Sequence, residues 1–415
     1  MSGDRELSIS GDGFACYDGR EILFLYSSAH DRYLTHRIST KVYASAYQKW
    51  GIRPRFLDLA SENFATEFIQ HLKSSALLAV HCEQGWGLDL VLGNREDPFV
   101  TFGKPAISHI RDYPFYPWLT RKTLPPLPNR LLHYTEASAS DFSAKYGAAA
   151  DRQTHTFAPH IYLDSNPRMD DIYRPHRDRD IDLLCVGSYA DPASFRTEFL
   201  SVYKGSERLF DDLIERACHD FHGVYWQHVE AVASSHGIAP DLSEAIFRDL
   251  LVKGNQFIRM ERRRLLLAKL APHPMHLVWS GDPPGIALHP DTVLIPGNTF
   301  PETLALMGRA KAMAMCLNNF PCSLSERFLS SMHRGAVVLC HGNVLIDSHF
   351  KDEIDYLRLD DQFQNTLTQI EKLRDTGGMK TMAENARGVV MRDFSPEKRI
   401  EQFLSSIHAF YQGRE

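Results

Sequence analysis

The sequence predicts an α/β chain of two Rossmann-like domains facing each other across a cleft, with a helical insertion in the second half. Three observations lead there. Apolar strand-like runs alternate with helix-spaced runs from Glu21 to Gln84, and the alternation restarts at Ile181. Between the halves, DSNPRMDDIYRPHRDRD (164–180) is charged, proline-bearing and poor in large aliphatic residues, as a linker is. A chain of 415 residues supplies enough core for two or three domains.

In the first half, EILFLYSS (21–28) is the opening strand. Leu34, Ile38, Val42 and Ala46 then recur at helical spacing, and Gly51 closes that helix. RPRFLDLA, a helix through Phe64, Phe68, Ile69 and Leu72, and ALLAVHCEQ continue the alternation. PAISHI is a further strand that runs into the aromatic, proline-rich loop RDYPFYPWL; RLLHYT, a short helix and THTFAPHIY end the half. The predicted domains are 1–163, a linker over 164–180, 181–395 with an insertion of two or three helices over about 194–271, and a last helix over 396–415 with a crossing back to the N-terminal domain as one course open to it. In the second half the strands are IDLLCVGSYADP, HLVWSGDPPG, TVLIPGN, AMAMCLNN, AVVLC and DYLRLD.

Composition narrows the function. Apolar and charged contents of 43% and 24% are those of an ordinary globular protein, and a formal charge of −6 gives no basic field for nucleic acid. The seven cysteines (Cys16, Cys82, Cys185, Cys218, Cys316, Cys322, Cys340) are scattered without a C-x-x-C pair, which favours buried thiols over disulfides or a metal site. No apolar run approaches the ~20 residues of a membrane span, so a cytoplasmic location is expected, with peripheral membrane contact left open. RMERRRLLLAK (259–269) reads as a solvated helix face, or as a surface for an anionic membrane or partner.

The stretch SERFLSSMHRGAVVLCHGN (325–343) carries the most information. Ser323 and Glu326 have capping-box spacing, Phe328, Leu329 and Met332 share one helical face, Gly335 is a stop, and AVVLC suits a strand buried on both sides. The start of such a helix favours a phosphate. Together with AKAMAMCLNN and IDLLCVGSYADP, this stretch resembles the C-terminal half of bacterial glycosyltransferases of GT-B architecture, most of all the group related to the spore-maturation protein CgeB. ISHIRDYPFY and FAPHIY resemble that group's N-terminal loops. In many members a Glu holds the donor ribose at the position that is Ser330 here, so Glu326 either takes over that task or only caps its helix.

The resemblance implies a nucleotide-diphosphate sugar as co-substrate and a glycan, lipid-linked sugar or protein as acceptor, with no cofactor and no metal. Gly187, Ser188 and Tyr189, Ser280 and Gly281, Asn298 and Thr299, then Ser325, Glu326, Arg327 and Asn343 are the candidate donor contacts. Asp112 and His109 are the candidate catalytic bases, with His30, Asp31, Tyr113 and Tyr116 on the acceptor side. For each there is a structural alternative: packing for the aromatics, turns for Asn298 and Asn343, a first-turn surface position for Arg327. Asp178-Arg179-Asp180 spells a metal motif but sits in the linker as a solvated string. H-E-x-x-H, Walker A and G-x-S-x-G patterns are missing. A nucleotide-sugar epimerase or hydrolase, and a non-catalytic scaffold, are the competing readings.

Overall fold

The computed structural model describes residues 17–29, 31, 34–147, 156–157, 174–281, 285–317 and 321–413. His30, His160 and most of the predicted linker lie outside them. The first sheet contains β1 (Glu21–Tyr26), β2 (Arg53–Asp58), β3 (Leu77–Cys82), β4 (Ala106–Ile110), β5 (Arg130–Tyr134) and β6 (Thr156–Phe157) in the order β2-β1-β3-β4-β5-β6. The second contains β7 (Ile181–Tyr189), β8 (His276–Gly281), β9 (Val293–Pro296), β10 (Ala310–Ala314), β11 (Val337–Cys340) and β12 (Leu357–Arg358) in the order β12-β11-β10-β7-β8-β9. Every strand pairing in both is parallel. Two doubly wound parallel sheets with helices around them make this a GT-B fold. Parallel central strands must be covered on both faces, and β3, β4, β5 and β11 are buried along their whole length.

Several elements differ from expectation. Among the described residues the insertion holds α-helices at Pro192–Val202, Glu207–Ala217, Tyr225–Ser235, Ala245–Asp249 and Asn255–Leu270, with a π-helical turn at Leu250–Gly254. This is more than the two or three predicted, because short amphipathic pieces joined by Gly205, Gly223 and Gly237 read as fewer, longer helices. Helices Val344–His349 and Thr376–Asp393 were not anticipated. The second opens on TGG, which looks like a breaker, but Asp375 caps it by accepting from Gly378 N.

The insertion belongs by sequence to the second half, yet most of it shares a core with the first. Phe199, Phe210, Tyr225, Trp226 and Phe247 form one apolar cluster with Leu23, Leu25, Tyr113, Phe115 and Phe142. Polar ties reinforce it: Tyr116 OH donates to Asn255 Oδ1 at 2.7 Å and Trp226 Nε1 donates to Ser138 O at 2.9 Å. Helix Asn255–Leu270 spans both bodies, with Ile258 in that cluster and Leu266, Leu267 and Leu270 in the core under the second sheet.

The C-terminal helix, Pro396–Gln412, lies on the first sheet, where Ile400, Phe403, Leu404 and Ile407 pack with Ile22, Phe24, Tyr43 and Ile107. Phe403 is fully buried and meets the rings of Tyr43, His81 and His133 edge-on at 5.6, 5.3 and 4.7 Å. At a second seam, Cys322 N donates to Glu136 Oε2 at 3.3 Å and Ser323 Oγ donates to Thr135 O at 2.5 Å, joining the two halves.

Two stability outcomes follow from these contacts. Phe403→Ala leaves a cavity in a closed aromatic nest and should lower unfolding free energy by about 3–5 kcal/mol in denaturant melts. Burial raises the Glu136 pKa to about 7, partly offset by its hydrogen bonds from Ser138 and Cys322. The folded state therefore holds a proton that the unfolded chain releases near the ordinary carboxyl range, so this group's contribution to stability is full at low pH. It declines as pH rises from about 4.5 to 7 and is constant above. Glu136→Gln should remove that decline, on the order of 2–3 kcal/mol, from the difference between melts at pH 5 and pH 8.

Candidate functional site

Open parallel sheets bind ligands at the carboxyl ends of their strands, where the strand order reverses. In the second sheet the reversal falls between β7 and β10, and in the first between β1 and β3. A crevice of about 290 Å³ lies at the second sheet's reversal, lined by Val186, Gly187, Ser188, Ser280, Asn298, Glu326 and Arg327 of the second half. Thr35, the first residue of the helix after β1, closes it from the first half. Beside it, a cavity of about 580 Å³ shares Trp279, Ser280, Gly297 and Asn298 and extends over Gly281 and Thr299. Gly281 sits at φ +96°, and a Cβ there would come within 2.1 Å of Tyr189 O, so only glycine fits this edge.

Three guanidinium groups line the crevice: Arg259 and Arg263 from helix Asn255–Leu270, and Arg327 from helix Glu326–His333. Arg327 Nη1 donates to Val186 O at 2.5 Å, which holds the side chain across the end of β7. Arg263 Nη1 donates to Ser188 O at 2.7 Å and to Ser188 Oγ at 2.9 Å. Burial, then repulsion from Arg259 and Arg327, pushes the Arg263 pKa down. An anion between these groups would relieve that repulsion, and helix Glu326–His333 adds its N-terminal N–H groups to the same place.

The basic stretch 259–269 is thus not a uniformly solvated face. Arg259 and Arg263 enter the crevice, while Arg262 is buried on the opposite side, donating to Ala217 O, Cys218 O and Asp220 O at the end of helix Glu207–Ala217. Arg264 pairs with Glu261 at 2.6 Å. The sequence did carry a signal for the pair: like charges four apart on one helix face repel unless something anionic sits between them.

Asp112, just beyond the end of β4, is not among the residues that line the crevice, but it lies in the field of Arg259, which does, and of Glu326. Its Oδ2 accepts from Gln84 Nε2 at 2.8 Å. Burial raises the Asp112 pKa, Arg259 and Arg111 oppose that rise, and Glu326 adds to it. Arg259 also donates to Tyr116 OH at 3.1 Å, so one arginine touches both the aromatic loop of the first half and the crevice of the second. Behind Asp112, Arg111 pairs with buried Glu83 at 2.8 Å and contacts His36 Nδ1 at 2.9 Å.

Other candidates have different placements. His109 is fully buried, with Tyr43 OH at 2.9 Å from Nδ1 and Thr135 Oγ1 at 2.9 Å from Nε2, and burial pushes its pKa down to about 3. Both ring nitrogens are occupied and no acceptor can reach it, which removes it as a base. Tyr113 and Tyr116 are buried packing residues, Tyr113 OH contacting Ser138 Oγ at 2.6 Å, so they form no open acceptor wall. Asp31 accepts from His36 N and Arg37 N, fixing the start of helix Thr35–Lys49.

Tyr189 is buried with its ring centroid 5.6 Å from that of Trp279. Asn343 is buried too, capping helix Val344–His349 through Ile346 N and donating to Ser323 O at 2.6 Å. Ser325, not Ser323, caps helix Glu326–His333, accepting from Phe328 N at 3.3 Å; Ser323 is committed to the seam with Thr135. Thr299 forms a capping box with Glu302 while still lining the outer cavity. Ser330 is fully buried, so of the two positions weighed for a ribose contact only Glu326 reaches the crevice. In the D-R-D string Arg179 is buried rather than solvated, donating to Ala310 O at 2.7 Å and to Arg334 O, and Asp180 pairs with Arg309.

No known family profile and no curated protein matches the chain in sequence. Solved structures do match in outline. Anabaena Alr3699/HepE, in complex with UDP and glucose, is 10% identical over 93% of this chain and 100% of its own, with a TM-score of 0.45. AviGT4, a glycosyltransferase involved in avilamycin A biosynthesis, is 11% identical over 95% and 98%, with a TM-score of 0.49. An alpha-glucosyltransferase in complex with UDP and a 13-mer DNA is 8% identical over 94% and 98%, with a TM-score of 0.49.

If the arginines form one anion site, Arg263→Ala should weaken binding of a nucleoside diphosphate by about tenfold to a hundredfold in calorimetric titration, the loss expected for a hydrogen bond to a charged group. The melting temperature of the free protein should hold or rise, because the variant removes a repulsive charge.

Proposed function

We propose that this protein is a glycosyltransferase that moves a sugar from a nucleotide-diphosphate donor to an acceptor hydroxyl. What carries the reading is the arginine cluster at the switch point of the second sheet, with the Asp112 carboxylate of the first in the field of one of its members, Arg259. The resemblance of residues 325–343 to nucleotide-sugar transferases supports the same assignment.

In this reading the C1–O bond to the diphosphate breaks as the acceptor oxygen bonds to C1. Two changes of charge have to be accommodated. The departing diphosphate gains negative charge, which Arg259, Arg263 and Arg327 neutralise from fixed positions. The acceptor hydroxyl loses its proton, which Asp112 accepts. Burial favours the protonated carboxyl, so Asp112 holds a proton more readily than an exposed aspartate, while Arg259 and Arg111 keep the ionised form accessible. Glu326 is the candidate ribose contact, and Ser188, Ser280 and Asn298 line the route to the base. Guanidinium groups do the work a divalent cation performs elsewhere, so the reaction is metal-independent in this account. The acceptor is a glycan, lipid-linked sugar or protein, and the place of action is the cytoplasm.

The deciding experiment incubates the protein with a panel of nucleotide sugars, with and without mixed acceptors, and follows released nucleoside diphosphate and glycosylated product. A transferase forms product only with an acceptor, whereas an epimerase alters the donor alone. Turnover should survive EDTA, and Asp112→Asn should reduce it by about 10²–10⁴-fold with donor binding intact. Donor epimerisation without acceptor, or full turnover by Asp112→Asn, would overturn the assignment.

A further inference from the structure

Gln84 occupies an unusual conformation for its residue type. It lies in the turn after β3, at the first sheet's switch point, with φ 52° and ψ 35°. This left-handed region is strained for a residue with a Cβ, and such strain persists where the surroundings enforce it. Its neighbours Gly85 and Gly87 also have positive φ, at +76° and +90°, yet they are glycines and adopt it freely. The turn is stitched down, since Gly85 N donates to Ser108 Oγ at 2.8 Å and Ser108 Oγ donates to Cys82 O at 2.5 Å.

The side chain shows what the conformation achieves. Gln84 is 7% exposed, and its amide spans two consecutive residues beyond β4. Arg111 N donates to Gln84 Oε1 at 2.7 Å, and Gln84 Nε2 donates to Asp112 Oδ2 at 2.8 Å. The orientation is forced, because a backbone N–H can only donate, so Oε1 must face Arg111 and the amide hydrogens must face the carboxylate. Glutamate could not do this, having no hydrogen to offer Asp112.

We infer that Gln84 is a positioning residue for Asp112: its amide clamps the carboxylate in place and stabilises its ionised form, holding it ready to accept a proton. The inference deepens the proposed function and takes from it the role of Asp112 as base. Four charged or titratable groups also face that carboxylate, Arg111 from its own loop, Arg259 from the insertion, Tyr116 from the aromatic loop and Glu326 from the second half. Arg259 and Arg111 favour the ionised carboxylate more strongly by charge, and the Gln84 amide adds a hydrogen bond of fixed direction, held at its other end by Arg111 N.

The test is a carbon-13 NMR titration of aspartate carboxyls in the full chain, with Asp112→Asn assigning the signal. Gln84→Gly is the informative variant, since glycine adopts the positive φ freely while the side chain that bridges Arg111 N and Asp112 is removed; melting confirms that it folds. The Asp112 midpoint should rise by about one to two pH units in Gln84→Gly, the loss of a hydrogen bond to a charged group. In Gln84→Glu it should rise further, because a second carboxylate replaces the donor. A midpoint unchanged in folded Gln84→Gly overturns the inference and leaves the donor site untouched. Diphosphate release from UDP-glucose, used as a probe, reports on the reading beneath it: full turnover by Asp112→Asn would remove the base role, and the inference with it.

Discussion

Like charges brought together out of water are costly unless something of opposite sign joins them, and that constraint organises this molecule. Arg263 is half-buried in the field of Arg259 and Arg327, and burial and that repulsion together push its pKa down. The protein meets part of the cost with its own oxygens: Val186 O for Arg327, Ser188 for Arg263 and Tyr116 OH for Arg259. Asp112 and Glu326 bring negative charge to Arg259. Carbonyl and hydroxyl oxygens hold guanidiniums in position without discharging them, which leaves a site preorganised for an anion with several oxygens.

The insertion explains how such a site stays assembled between two domains. Helix Asn255–Leu270 has its first turns in the core of the first half and its last turns in the core of the second, with Arg259 and Arg263 between. The C-terminal helix returns to the first sheet, and the Glu136–Cys322 and Thr135–Ser323 contacts add a seam beside the crevice. A rigid rod shared by two cores keeps the distance between the arginines and the aromatic loop from drifting. Positioning of this kind matters for transfer reactions, where small misplacements are expensive.

How much of this was legible in the sequence depends on the kind of signal. Strands buried on both faces announce themselves as unbroken apolar runs, so LLAVHC and VVLC were found at once, and the two-domain alternation followed. Gly187 and Ser280 near the ends of β7 and β8, and Arg327 in the first turn of helix Glu326–His333, were candidates from sequence because ligand sites in open sheets lie at such places, and all three line the crevice. Asn343 has the same address but a different occupation, since an asparagine at a helix start satisfies backbone N–H groups whether or not a ligand is near. His109 illustrates the opposite failure: a histidine in a strand looks reactive, and only the placement of the C-terminal helix over it shows that it is sealed. Arg259 and Arg263 were hidden in a basic run whose four arginines have three different jobs. The i, i+4 spacing of Arg259 and Arg263 puts them on one face, but that this face meets the crevice is decided by packing against two separate cores.

The central claim is that the arginine crevice recognises a diphosphate by charge, and calorimetric titration of uridine, UMP and UDP at two ionic strengths examines it most directly. The account predicts affinity that climbs with each added phosphate and falls as salt rises, with the free nucleoside bound weakly if at all. Equal affinity for uridine and UDP, or a UDP affinity indifferent to salt, would contradict it.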